Sequence, residues 1–486
     1  MSRPAGANNP LFPTVTTTNA KVIDCSKMVT ADNLNLDVLE LVFSHLSGND
    51  LPSVALVSNS FYDGVLPRLY KTLWYSIRHG KKYPKTLSPF ASILRAKHLA
   101  KYVQHVEISF VPTIKSTGHR SQFDPRFLHD CKAALDLCHN LFSFRCSEHI
   151  LPFLLLGDEI KPLLRNVRIF AAEITPDPAQ SLMQMEHLET LCLDNGSWAV
   201  MDLLPKWSAL LGKTLTTLTI SNSPELNETV LEPAMRNLPH LLHLHVIGCQ
   251  RIDHVVLFRL VVHTPLLESL SLTTFESSRQ LEKNPLSLPH LRHLSIDTRY
   301  SMVSSPVPSM LADILAHLKH SAPPLASFQI RIPEPQVVVG SGFIDQLLAS
   351  HALTLRRLAF LGCGMKLESL TAVCKSCINL ETLHICIPNF KDPLTHARFM
   401  DAIGRSRTLH TLVDADDHTA HGAHFVLRPA DVEKMMLTVR NLTKVVCDKK
   451  RWTGRRDSSG KLHISMDRII THIRPRPHWF MSTDLE

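Results

Sequence analysis

Glycine is scarce in this chain, 17 among 486 residues, and the few present form no Gly-rich phosphate loop. Backbone amides that cradle a nucleotide's phosphates need such a loop, so nucleotide-driven chemistry has no visible site. A G-x-S-x-G elbow and the protein-kinase signature are missing as well. No apolar run reaches the ~18 residues of a membrane-spanning helix. Residues 1 to 28 show no basic stretch leading into an apolar one, so export is not expected. Long runs of one charge sign are also lacking. With 52 basic and 44 acidic side chains the formal charge is +8, too even a mixture to argue for nucleic acid by itself. The eleven cysteines are scattered, which suits free buried thiols in a reducing compartment. These absences imply a soluble cytoplasmic and/or nuclear protein with no cofactor.

Hydrophobic side chains are abundant, at 44% with a mean hydropathy of +0.01. At ~150 residues per domain the length suggests about three units, but a repeat array grows without adding separate cores and breaks that count. Residues 1–30 mix Pro, Asn, Thr and Gly with isolated apolar residues, too few to offset the entropy of ordering them, and read as a disordered tail.

From Leu34 to Phe61 the apolar residues fall at helical spacing, with Leu34, Val38, Leu41 and Val42 on one stripe. Leu39, Phe43 and Leu46 widen it, so this short helix must cover two surfaces. Asp50 followed by Leu51 and Pro52 marks the start of a second helix. Residues 31–80 are therefore expected to form a small helical module.

After residue 95 an L-x-x-L-x-L hexad dominates, other apolar residues being allowed at the leucine positions. It starts at Val103, Leu141, Leu164, Leu188, Leu215, Leu241, Leu267, Leu291, Leu325, Leu355, Leu380, Leu409 and, more weakly, Leu442, at steps of 23 to 38 residues. Most steps sit in or just above the 20–29 range of leucine-rich repeats. Each hexad reads as a short strand with its leucines inward. Segments such as HVVLFRLVVHTP (254–265) and FIDQLLASHAL (343–353) return the chain as helices. No unit can bury its leucines alone, so stacking is what stabilises the array. The longer steps near residues 104–140 and 297–324, with their SPVPS and SAPP clusters, are expected to hold loops.

Two families are resembled in order. The segment from Leu34 to Leu46, followed by Asp50-Leu51, Leu56-Val57-Ser58 and Phe61, resembles the F-box, and LPRLYKTLWYSI (66–77) is similar to the tail of fungal F-box proteins. Asn35 stands where that family has Pro. The rest is similar to cysteine-containing leucine-rich repeats, with Cys249 and Cys363 at the Asn/Cys position eight residues after Leu241 and Leu355. The fold implied is α/β, a helical F-box module followed by a leucine-rich repeat solenoid, or horseshoe, of about 12–13 irregular repeats over 81–448, with 449–486 a basic cap or tail.

The resemblance implies a substrate receptor of an SCF-type ubiquitin ligase without catalysis of its own, gripping a Skp-family adaptor of a cullin-based ligase. Leu34, Asn35, Leu39, Val42, Leu46 and Leu51 are the adaptor-contact candidates by motif position. The x residues of the hexads are expected to face solvent on one side of the sheet, from Glu189 to His384. The middle of that side, His243, His245, Arg292, His293, Arg356 and Arg357, suits an acidic or phosphorylated protein segment, because arginine pairs bidentately with carboxylate and phosphate. A repeat scaffold outside any ligase is the alternative.

Other constellations are weaker. Cys374 and Cys377 have metal-ligand spacing but read as core thiols. DADDHTAHGAH (414–424) has the donors for a metal-dependent enzyme, with His418 and His421 as candidates, yet reads better as a polar loop. The basic stretch VVCDKKRWTGRR and the later IRPRPHW, with Trp452 and Trp479 among the charges, read as a solvated cap rather than an RNA contact or nuclear-import segment, and no metal is expected.

Overall fold

A computed structural model describes residues 35–46, 50–76, 87–114, 122–147, 149–275, 281, 287–299, 309–321, 323–332, 337–388, 390, 392–415, 427–469 and 478–481. The expected tail of residues 1–30, and Leu34, lie outside them. The chain divides into two units, Met1–Tyr70 and Lys71–Glu486.

Among the described residues the first unit has three helices, α1 (Leu36–Phe43), α2 (Asp50–Ala55) and α3 (Asn59–Leu69). Ser58 starts α3 by accepting a hydrogen bond from the Phe61 amide at 3.3 Å, which satisfies one of the free donors of the first turn. Leu39, Phe43 and Val65 form the buried centre, with Leu46, Leu51, Val54, Ala55 and Phe61 packed around it. Phe43 and Phe61 stack at a tilt, centroids 5.2 Å apart. At Gly64 a Cβ would lie 3.0 Å from Leu39 Cβ and 3.1 Å from Phe43 Cε2, so α1 and α3 approach closely because that side chain is absent.

The second unit is built on one sheet. Its first half holds β1 (Thr72–Tyr75), β2 (His105–Ile108), β5 (Ser143–Cys146), β6 (Asn166–Phe170), β7 (Thr190–Asp194), β8 (Thr217–Ser221) and β9 (His243–Ile247). It continues with β10 (Ser269–Phe275), β11 (His293–Arg299), β12 (Ser327–Arg331), β14 (Arg357–Leu361), β16 (Thr382–Ile385), β17 (Thr411–Asp414) and β18 (Lys444–Cys447), and closes with β19 (Lys450–Arg456) and β20 (Leu462–Arg468). Two short pairs stand apart, β3 (Thr113–Ile114) with β4 (Gln122–Phe123) and β13 (Val338–Val339) with β15 (Gly364–Met365). Among the described residues the sixteen strands of the main sheet follow chain order, so each pairs with the strands before and after it in that sheet.

Each of the thirteen hexads forms one strand of the main sheet, from β2 to β18 with β3, β4, β13 and β15 left aside, and β1 adds a further parallel strand ahead of them. Sequence reading placed residues 72–75 in the helical module; they pair instead with β2, Leu73 opposite Val106, and the division between the units falls after Tyr70. The fourth hexad position runs in register through the parallel strands. Leu73, Val106, Phe144, Val167, Leu191, Leu218, Leu244, Leu270, Leu294, Phe328, Leu358, Leu383, Leu412 and Val445 lie side by side, all buried. Steps of different length leave this row unbroken because the extra residues are taken up between strands.

The expected return helices form at His254–Leu260 and Ser341–His351. The two long steps hold more than loops, since Pro125–Leu135 and Ser309–Ser321 are helical. Asn227, Asp253 and Asp392 cap return helices by accepting from backbone amides. The turn after a strand uses left-handed backbone at Asn195, Asn222, Gly248 and Gly362, eighth in their repeats, residue types that tolerate positive φ. Cys249 follows in the core, its thiol 3.7 Å from the Ile220 carbonyl.

The basic stretch after Lys444 turns at Asp448 and Lys449, both at positive φ, into the antiparallel pair β18–β19, and β19 then pairs with β20. Trp452 is buried in this hairpin, which removes it from the surface where a base could stack.

Candidate functional site

Two surfaces stand out, one in each unit. In the helical unit the interior is too small to take every apolar side chain. Leu41, Val42, Leu56 and Val57 stay 68%, 53%, 88% and 64% exposed, with Leu36, Val38 and Tyr62 also open. This much apolar surface on three short helices calls for a covering partner. Of the adaptor candidates, Val42 and Asn35 are on the surface. Leu39 is buried at 1% exposure at the centre of the unit, and Leu46 and Leu51 are half-buried, packed against the cluster that it forms with Phe43 and Val65. Motif position alone could not separate them, because α1 carries apolar residues on both sides.

Asn35 precedes α1 with φ −60° and ψ 141°, and its carbonyl accepts from the Val38 and Leu39 amides at 3.0 and 3.1 Å. Its side chain makes no capping bond. That φ is the one a proline ring imposes, so the backbone at Asn35 already has a proline-compatible shape.

In the large unit the second surface is the face of the sheet opposite the leucine row. Residues three and five of each hexad share it, because strand side chains alternate. One row reads Arg168, Cys192, Thr219, His245, Ser271, Ser295 and Gln329 from β6 to β12. These polar residues were expected to meet solvent. Instead Thr219, His245 and Ser271 are fully buried and His243 nearly so, while the nearby Phe480 is 2% exposed.

Residues 478–481, distant in sequence, lie on this face. The Phe480 carbonyl accepts from Ser271 Oγ at 3.2 Å and Ser295 Oγ at 3.1 Å. Ser271 Oγ lies 2.7 Å from His245 Nδ1. With its hydrogen given to Phe480, Ser271 can only accept there, which places the His245 proton on Nδ1. The His245 and Phe480 rings lie 5.6 Å apart, His478 stacks on Phe480 at 4.7 Å, and the Arg331 guanidinium sits 5.7 Å over Trp479.

At the other end His478 Nε2 lies 3.1 Å from Asp194 Oδ1. Asp194 also accepts from Arg168 Nε at 2.8 Å and Ser221 Oγ at 2.5 Å. Burial opposes the charge on Asp194, but the His478 hydrogen bond, the Arg168 charge and the Ser221 hydroxyl outweigh it and hold the carboxyl well below its usual range. Burial, with crowding by neighbouring histidines, lowers His245 to about 3, so it is neutral at physiological pH. Burial and the adjacent Asp194 keep the Cys192 thiol protonated.

Cys192 Sγ, an Asp194 oxygen and His478 Nε2 lie within 4.8 Å of one another, a donor set that zinc accepts. The Asp194 carboxylate already takes hydrogen bonds from Arg168, Ser221, His478 and the Cys192 thiol, and the Arg168 charge beside it opposes a cation. The arrangement forms a hydrogen-bonded clasp.

Arg292 and Arg356 are exposed, but each lies one residue ahead of its strand, off the pleated face that carries His243, His245, His293 and Arg357. His293 and Arg357 are half-buried. The six do not form one open patch, because the hexad's second residue sits in the turn entering the strand. Arg356 Nη1 lies 3.4 Å from Glu381 Oε1 across the solvent-exposed edge.

Cys374 and Cys377 are buried, and desolvation pushes both thiols up to about 12, as in core cysteines. Asp414 accepts from the Ile387 amide and lies 3.0 Å from Cys447 Sγ; residues 416–426, with His418 and His421, lie outside the described residues. Sequence reading noted Trp479 among basic residues but had no signal for Asp194, Arg168 or Phe480, whose roles depend on a meeting across 284 positions.

Residues 32–66 match the F-box domain family, so the chain carries an F-box domain. F-box proteins are in general substrate receptors of SCF-type ligases, adaptors rather than enzymes. Among solved structures the chain is similar to the crystal structure of the Rad7 and Elc1 complex in yeast, with 15% identity, a TM-score of 0.42, and coverage of 81% of this chain and 91% of that one. No helix among the described residues is long and apolar enough to cross a membrane.

Proposed function

We propose that the chain is the substrate-recognition subunit of an SCF-type ubiquitin ligase, with its F-box unit bound to a Skp-family adaptor and its second unit, a leucine-rich repeat horseshoe, holding the protein to be ubiquitinated. The observation that carries the reading is the uncovered apolar surface of the F-box unit, led by Leu41, Val42, Leu56 and Val57. Asn35 stands at its edge with a proline-like backbone. The unbroken leucine row and the left-handed turn at the eighth repeat position support the leucine-rich repeat reading. Arg292, His293, Arg356 and Arg357 offer donors to an acidic or phosphorylated target segment. The compartment is then cytoplasmic and/or nuclear.

The test is co-purification of the full chain with a Skp-family adaptor and cullin. A stoichiometric complex that Val42→Asp/Leu56→Asp abolishes supports the ligase reading. If the intact chain captures no adaptor, the chain is a repeat scaffold outside any ligase.

A further inference from the structure

The sheet face from β7 to β12 is built like a recognition site and is occupied by the chain itself. A segment placed there only to exclude water would need apolar contacts. Here a four-residue stretch is read by polar chemistry at both ends: the Asp194 carboxylate takes the His478 N–H, and the Ser271 and Ser295 hydroxyls converge on the Phe480 carbonyl. Asp194 is itself preset by Arg168 and Ser221, whose hydrogen bonds do not involve the segment. The fit is also incomplete. His245 Nε2 and Thr219 Oγ1 are buried without a hydrogen-bond partner among the described residues, so the face has acceptor capacity that residues 478–481 leave unused.

We propose that this face is a docking groove for an extended peptide of a partner protein, one that presents an imidazole N–H followed two residues later by an aromatic ring, and that His478-Trp479-Phe480 fills the groove in cis as a tethered mimic of that ligand. The buried anion at Asp194 selects the N–H donor, and the paired serine hydroxyls fix the peptide backbone. The His245 ring and the Arg331 guanidinium receive the aromatic rings. A ligand that also carries a donor toward His245 Nε2 displaces the tethered segment most readily. The proposal rests on the reading of this unit as the target-binding part, but its test needs no adaptor, so its failure and a failure of adaptor capture are separate results.

The probe is a fluorescently labelled peptide of sequence PHWFMS, titrated by anisotropy against the full chain. A tethered competitor acts at an effective concentration in the millimolar range. The full chain carrying His478→Ala/Phe480→Ala is therefore expected to bind the peptide about tenfold or more tightly than the intact chain. Adding Asp194→Asn, or Ser271→Ala/Ser295→Ala, to that background should return the affinity to the intact level, and a PAWFMS peptide should bind no chain well. If the double substitution lowers the melting temperature by more than a few degrees, His478→Ala alone answers the same question with a smaller gain. Equal peptide affinity in the intact and released chains, or binding unaffected by the Asp194 and serine substitutions, would overturn the proposal and leave residues 478–481 as a structural cover.

Discussion

Replacing Leu39 and replacing Leu41 are expected to have opposite consequences, although the two leucines are two residues apart on one helix. Leu39 is 1% exposed and touches the few residues that form the interior of the F-box unit, whereas Leu41 is 68% exposed. Truncating a buried leucine costs about 2–5 kcal/mol in lost transfer energy and cavity formation. A unit of some thirty-five residues has a total stability of roughly 2–5 kcal/mol at ordinary per-residue values. Leu39→Ala therefore consumes most or all of that margin, and α1, α2 and α3 should lose amide-exchange protection together. Leu41→Asp leaves the interior intact and stays within about 0.5 kcal/mol of the parent, so protection is retained while capture of a Skp-family adaptor falls sharply. Hydrogen exchange read by mass spectrometry, alongside adaptor pull-down from the full chain, separates the two. Retained protection in Leu39→Ala, or lost protection in Leu41→Asp, would refute the assignment of one leucine to the interior and the other to the surface.

Asn35→Pro should stabilise the F-box unit by about 0.4–1 kcal/mol, since the residue already sits at φ −60° and the ring only restricts the unfolded chain; slower exchange in α1 is the readout. Stability of the large unit should fall on mild acidification. Because burial lowers His245 to about 3, the unfolded chain binds more protons than the folded one between that value and the ordinary value near 6.5, and stability in that window decreases as pH falls. From pH 7.5 to 5 the loss is up to about 2 kcal/mol for this residue. Thermal melts across that range should show it, and His245→Gln should flatten the curve. His384, lowered to about 4 chiefly by burial, acts in the same direction.

The hexads were legible because one spacing serves both as local pattern and as tertiary contact. Leu244 is buried for the same reason that it recurs, and the thirteen hexad strands of the main sheet could be placed from the sequence. β1 was hidden because TLWY carries a single leucine and no full hexad. The helix Ser309–Ser321 was hidden beside a serine- and proline-rich stretch that reads as loop. In the F-box unit the motif identified the module but could not sort Leu39 from Val42, because sorting them requires knowing which side Val65 and Phe61 approach. The clasp on the sheet face was illegible in principle. Asp194 ends an ordinary strand and His478 belongs to an unpatterned basic stretch, so no local rule joins them.

The register of the leucine row also bears on how such a chain tolerates editing. Steps from one strand to the next vary between 23 and 38 residues, yet Leu73 through Val445 keep a single alignment. An insertion or deletion between strands is absorbed where it occurs and does not propagate to its neighbours, as it would in a closed barrel whose strands must meet end to end. Whole repeats can therefore be lengthened, shortened or exchanged in the course of descent while the side chains displayed by the remaining strands keep their places.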